Sequence, residues 1–130
     1  MQKVVVHFLD GSVRKGSVTI FPPRGPTFEL HGAGWPKTRE ISLANLKAVF
    51  FVKDHRGEPD FSESKDFPVR RGPGLSGRVR VICEDGEVLA GYCKVYEANR
   101  PGFFLYPPDR RSNNERVYIL ARAIRKLEFV

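Results

Sequence analysis

Three histidines, two aspartates that precede glycine and two cysteines are the residues best able to do chemistry here, and their spacing assigns them no reaction. His7 falls in an expected strand, His31 at the end of another and His55 in a charged, turn-forming stretch. No two of them have metal-ligand spacing, and none stands in a Cys/His or Ser/His motif. Asp10-Gly11 and Asp85-Gly86 read as turns, where aspartate is favoured for conformational reasons. Cys83 and Cys93 make no Cys-x-x-Cys pair. In a hairpin turning at Asp85-Gly86 they would lie opposite Val88 and Arg78, too far apart to bridge, so both are expected to be reduced core residues. Gly72-Pro73-Gly74-Leu75-Ser76-Gly77 lacks the lysine of a phosphate loop and the strand-to-helix setting that such a loop needs. The expectation is a protein that is not an enzyme, with no cofactor and no metal site.

Binding chemistry gathers in two polar loops, residues 31–38 and 107–115, and the strands that leave them. The first region carries Trp35, Lys37 and Arg39; the second carries Arg110, Arg111, Asn113, Asn114 and Arg116. A tryptophan beside cations can anchor a protein interface or stack a nucleic-acid base next to phosphate-seeking arginines. It can equally fold back over the open end of a barrel. The arginines suit either a solvated loop or a phosphate clamp, and Asn113-Asn114 is expected to supply positive-φ turn residues.

The elements that position these loops occur twice. Asp10-Gly11 and Gly16 recur as Asp85-Gly86 and Gly91, and Pro26, Phe28 and Leu30 recur as Pro101, Phe103 and Leu105, all shifted by 75. Beyond a three-residue insertion the shift is 78, and Ile41, Leu46, Val49, Phe51 and Val52 fall on Ile119, Ile124, Leu127, Phe129 and Val130. An internal duplication of this kind governs the reading of everything else. Residues 3–9 and 79–84 are β-branched and alternating, each followed by Asp-Gly, which predicts a hairpin with positive φ at both central turn positions. Glycines 16 and 91 predict a bulge or sharp bend in the second strand, because Val13 and Val18 cannot share one face of a regular strand. Short strands near 27–30 and 102–106 follow, then strands near 40–43 and 117–120, a helical turn near 44–47 and 121–125, and closing strands at 46–52 and 124–130.

Each copy is thus a five-stranded meander whose order resembles the SH3-like and Sm-like small barrels. Val4-x-Val6-x-Phe8-x-Asp10-Gly11, the bend at Gly16, Phe28-x-Leu30 and Ile41-x-Leu43 carry the Sm resemblance; the helix that opens the Sm family has no counterpart. The fold class is all-β: a tandem duplication of two small barrels, 1–52 and 78–130, packed together and joined by a charged, breaker-rich linker over 53–77. A unit of about fifty residues buries too little surface to stand alone, so the copies should pack on each other or the chain should form a homodimer. One larger sandwich or barrel of about ten strands fits the same pattern.

Among 130 residues, 41% are hydrophobic, enough for a core, and no apolar run reaches membrane-span length. The opening Met1-Gln2-Lys3-Val4 runs straight into a strand with no export signal, so a whole, cytosolic protein is expected. Net charge is +7 and spread out: residues 1–52 carry seven basic and three acidic groups (+4), and residues 78–130 carry ten and seven (+3). That balance permits an anionic partner without requiring one.

The second copy resembles a bacterial family of small β-rich domains of unknown function. The resemblance is carried by Asp85-Gly86-Glu87, Gly91-Tyr92, the run Asn99–Leu105, the string Ser112-Asn113-Asn114-Glu115-Arg116 and Ala123–Leu127. The first copy has His31-Gly32-Ala33-Gly34-Trp35-Pro36 in place of that string. The resemblance implies no reaction and no cofactor. The PilZ signature, by contrast, fails around Arg70-Arg71, with Gly74 and Val79 where it needs an acid or amide and a glycine. The functional expectation is an interaction or adaptor module that binds a protein partner. The alternative is RNA or single-stranded DNA binding by a basic Sm-like surface.

Overall fold

Alternation of apolar and polar residues, broken by Asp-Gly and Pro, dictates strands, and strands are what form. The computed structural model describes residues 1–56, 77–93, 100–109 and 111–130. The linker expected over 53–77 lies mostly outside them. Ten strands follow one another: β1 (Gln2–Phe8), β2 (Val13–Val18), β3 (Thr27–Leu30), β4 (Arg39–Ser42), β5 (Leu46–Val52), β6 (Arg78–Cys83), β7 (Val88–Tyr92), β8 (Gly102–Leu105), β9 (Asn114–Leu120) and β10 (Ile124–Phe129). Single 3-10 turns, Leu43–Asn45 and Ala121–Ala123, precede β5 and β10, where the sequence places helical turns. No helix among the described residues is long and apolar enough to cross a membrane.

The strands form three open antiparallel sheets, ordered β2-β1-β5-β9-β8, β10-β6-β7 and β3-β4. Single bridges, Ser17 to His31 and Tyr92 to Tyr106, stitch them together. Among the described residues the neighbour order is therefore β4-β3-β2-β1-β5-β9-β8-β7-β6-β10. β1 pairs with β2 and β5, and β6 pairs with β7 and β10. The registers coincide: Val49 faces Val6 where Leu127 faces Val81, and the register shifts at Lys47 in one group and Arg125 in the other.

β5 and β9 join the two halves, with Ala48 opposite Ile119, Val49 opposite Tyr118 and Phe50 opposite Val117. Successive side chains of a strand point to opposite faces. Val49 and Phe51 therefore enter a core with Val4, Val6, Leu30, Tyr118 and Leu120. Ala48, Phe50 and Val52 enter a second core with Val79, Val81, Leu105 and Ile119. All seven residues of β5 are buried, as expected for a strand covered on both faces.

Three local expectations need correction. In each Asp-Gly hairpin only the glycine has positive φ, +90° at Gly11 and +92° at Gly86. Phe8 and Cys83 each accept the glycine N–H, and their own N–H groups donate to Ser12 and Glu87. That is a type I turn closed by a left-handed glycine, a three-residue loop that leaves the aspartate in ordinary backbone. The loop also shifts the facing residues by one: Val88 lies opposite Ile82 and Tyr92 opposite Arg78, while Cys83 N–H bonds Glu87 and Cys93 N–H bonds Gly77. Both cysteines are free and buried.

The second correction concerns the glycine in each second strand. The β1–β2 register runs unbroken from Gln2–Val18 to His7–Val13, so no bulge forms, and Val13 is left outside. Gly16 is required by proximity instead. A Cβ there would stand 2.5 Å from the His31 carbonyl oxygen and 2.7 Å from Leu30 Cδ1, and one at Gly91 would stand 2.9 Å from the Tyr106 oxygen. These are the points where β2 meets β3 and β7 meets β8. Third, Asn113 and Asn114 do not supply positive φ, since no non-glycine described residue adopts it.

Gly16→Ala should lower stability by about 1–3 kcal/mol, the usual range for overpacking. Gly25→Ala, where an added Cβ meets nothing within 4 Å, should stay within about 0.5 kcal/mol of the native chain. Equilibrium urea unfolding of the two variants measures the contrast.

Candidate functional site

Five of the sequence-derived binding residues, Trp35, Arg39, Arg111, Asn114 and Arg116, make contacts within their own chain. Trp35 is half-buried against the first core, with the backbone of Gly32 directly beneath its ring. Arg39, at the start of β4, places its guanidinium 4.8 Å from the centre of that ring. One face of the indole is therefore on the protein, and a cation already stacks on it. Lys37 is exposed between them in sequence. In the second loop Arg111 points its Nε at the Asp109 carboxylate, 3.4 Å away. Asn114 donates its backbone N–H to Ser112 Oγ at 3.0 Å. Arg110 lies outside the described residues.

Arg116 turns inward. Its guanidinium stands 4.4 Å from the centre of the Phe51 ring and 4.5 Å from that of Phe104, and Nη2 donates to Gln2 Oε1 at 2.9 Å. Phe51 and Phe104 belong to an aromatic cluster in which Phe21 meets Phe28, Phe51 and Tyr118 edge-on at 5.1 to 5.4 Å. Asn113 is a clip between the halves. Its side-chain amide donates to the Asp54 carbonyl at 2.8 Å and accepts the Asp54 N–H at 3.0 Å, while its carbonyl accepts the Lys53 N–H. This reciprocal pair continues the β5–β9 ladder past its last strand residues. The Ser112–Arg116 string thus fastens the seam between the halves, a role its composition did not announce.

Sequence reasoning missed Lys47, one cation in the otherwise apolar run Leu46–Val52. It occupies the point where the β1–β5 register shifts and is 8% exposed. Its Nζ donates to Asp85 Oδ2 at 2.7 Å and also to Glu87. Both acids sit in the hairpin turn after β6, so this contact ties the second half to β5. Asp85 also caps its own turn, accepting the Glu87 N–H at 3.0 Å. Burial alone would push the Lys47 ammonium down; the bonds to Asp85 and Glu87 outweigh it and hold the proton above the ordinary lysine range. The Lys47 bond and the Glu87 N–H keep the Asp85 carboxyl below the usual carboxylate range.

His7 stacks on Phe50 at 4.4 Å, and burial pushes its imidazole down despite the nearby Glu87 charge. Burial pushes the Cys83 thiol up, which disfavours the thiolate and makes it a poor nucleophile. His55 Nε2 is bonded to the Gly16 carbonyl oxygen at 2.8 Å. His31 and His55 both meet β2 at Gly16–Ser17, His31 through its backbone, while His7 lies against Phe50. No group of three or more His, Cys, Asp or Glu among the described residues could hold a metal ion. An open depression of about 270 Å3, lined by Gln2, Lys3, Phe51, Lys53 and Glu115, is smaller than typical small-molecule sites.

A family model described as a family of unknown function, DUF6982, matches residues 1–130. The chain belongs to that family. No curated protein matches it, and no solved structure does.

Two predictions follow from the seam contacts. Asp85 and His7 both bind protons more readily when unfolded. Their contributions are therefore complete above about pH 6.5 and are lost on acidification, first through His7 and then through Asp85. Lys47→Met should cost about 1–3 kcal/mol at neutral pH, the range for hydrogen bonds to charged groups, and should flatten the carboxylate part of the acid limb. Urea unfolding from pH 8 down to about pH 3.5 reads both effects. Arg116→Ala should cost about 1–2 kcal/mol, and Arg116→Lys should recover only part of it, because an ammonium lacks the planar face and the fork of donors that let a guanidinium cover ring surface and bond Gln2 at once. The same unfolding assay, at fixed pH, tests this.

Proposed function

We propose that the chain is a non-catalytic interaction module made of two SH3-like or Sm-like five-strand units, and that it binds a protein partner by strand addition. Supporting the paired-unit reading are the coinciding registers of β1–β5 and β6–β10 and the 3-10 turns that precede the last strand of each half. The observation that carries the function is the end of the strand order. Among the described residues, β4 pairs only with β3, and β10 only with β6. A strand edge of this kind presents a row of backbone donors and acceptors that an extended segment can complete.

Nucleic-acid binding fits the geometry less well. Stacking platforms need aromatic faces open to bases with cations free to reach phosphates. Here Arg39 covers Trp35, Arg116 lies over Phe51 and Phe104, and Arg111 is turned to Asp109.

The test is capture from an extract of the native cell, with and without nuclease, using the chain and a variant with reversed edge charges (Lys126→Glu, Glu128→Lys, Glu40→Lys). The expected result is a discrete protein that survives nuclease treatment and binds the variant at least tenfold more weakly. Recovery of nucleic acid alone, or of a protein indifferent to the edge charges, overturns the reading. So does loss of all capture after nuclease.

A further inference from the structure

The β5–β9 seam is a template for how one unit adds to the next. Resting on the paired-unit reading, the two outer strands match its two halves: β10 stands where β5 stands, β4 stands where β9 stands, and among the described residues no further strand pairs with either. The 78-residue shift places Lys126 on Ala48, Glu128 on Phe50, Glu40 on Tyr118 and Ser42 on Leu120. The strand registers agree independently, since His7 faces Ala48 as Ile82 faces Lys126, and Val5 faces Phe50 as Arg80 faces Glu128.

What differs is the chemistry at those positions. Inside the chain they are apolar and closed: Ala48 is 0% exposed, Phe50 7%, Tyr118 4% and Leu120 2%. At the outer edges the same positions carry two carboxylates, an ammonium and a hydroxyl. Lys126 and Glu128 are solvated and face each other at 3.5 Å, and Glu40 is exposed. Docking β4 of a second copy against β10 in the seam register would sink these groups where the seam has Ala48, Phe50 and Tyr118. In that register Lys126 would face Ile41 and Glu40 would face Leu127, so neither gains a partner of opposite charge, while Glu128 would face Arg39. Charges moved out of water without matched partners oppose association. Natural sheets use such charges to prevent edge-to-edge growth.

We infer that β4 and β10 are matching edges of a latent self-assembly interface, and that Lys126 and Glu40 keep a second copy of this chain from closing it. A head-to-tail contact of this kind would otherwise generate rings or filaments. The charges stop the array at two units and leave both edges to a different strand.

The experiment uses the full chain and three variants in sedimentation equilibrium: a β10 variant (Lys126→Ala, Glu128→Phe), a β4 variant (Glu40→Tyr, Ser42→Leu) and the chain carrying all four changes. The native chain is expected to be monomeric across the concentration range. The β10 and β4 variants mixed one to one should form a heterodimer at least tenfold tighter than either forms with the native chain, and the fourfold variant should form longer species. A mixture that stays monomeric while both variants unfold cooperatively overturns the inference. A native chain that self-associates, with β10 amide protection rising with concentration, also overturns it, and that second readout requires no substituted protein to fold. Capture of a foreign partner is read separately, so either result leaves the partner-binding reading to its own test.

Discussion

Everything in this molecule depends on β5 being covered on both faces at once. A strand that is apolar on both faces apart from one lysine cannot lie at a surface; it needs a layer on each side. The first half supplies one layer through Val4, Val6 and Leu30, and the second supplies the other through Val79, Val81 and Leu105. The cost of ordering about fifty residues is met in neither half alone, because each core borrows side chains from the other half's strands. Tyr118 and Leu120 complete the first core, and Ala48, Phe50 and Val52 complete the second. Backbone pairing of β5 with β9 holds that exchange in register.

Polar contacts then fix the seam at both ends. Near its start, Lys47 reaches across to Asp85 and Glu87; past its end, Asn113 and Asp54 exchange a reciprocal pair of hydrogen bonds. Arg116 closes the same end by lying over both Phe51 of one half and Phe104 of the other. Residues that look from their composition like a solvent-facing recognition loop are in part the fastening of the fold. That division of labour moves attention from the loops to the outer strands β4 and β10, where the proposed strand addition would take place.

Strand positions were legible because period-2 apolarity and Asp-Gly turns act over a few residues. The 3-10 turns before β5 and β10 were legible for the same local reason. The reasons behind particular residues were not, because they depend on what folds next to them. Gly16 looks like a bend, yet it is a glycine because the His31 carbonyl passes 2.5 Å from where its Cβ would be. Asn113 looks like a turn former, yet its amide finds Asp54, 59 positions away in sequence. Lys47 leaves only a faint mark, a lone charge in a seven-residue buried strand, and its two acids belong to the opposite half. Trp35 left three readings open in sequence, and the closeness of Gly32 and Arg39 to its ring is a contact that no local pattern announces.

The account's central claim is that the two halves are one cooperative body welded along β5 and β9. Native-state amide hydrogen exchange, followed through increasing denaturant, tests it most directly. The amides of Ala48–Phe51 and Val117–Ile119 should exchange only through global unfolding, with the same denaturant dependence in both strands. If β9 opened at a lower free energy while β1 and β5 stayed protected, the halves would be separately folded neighbours, and the account would be wrong.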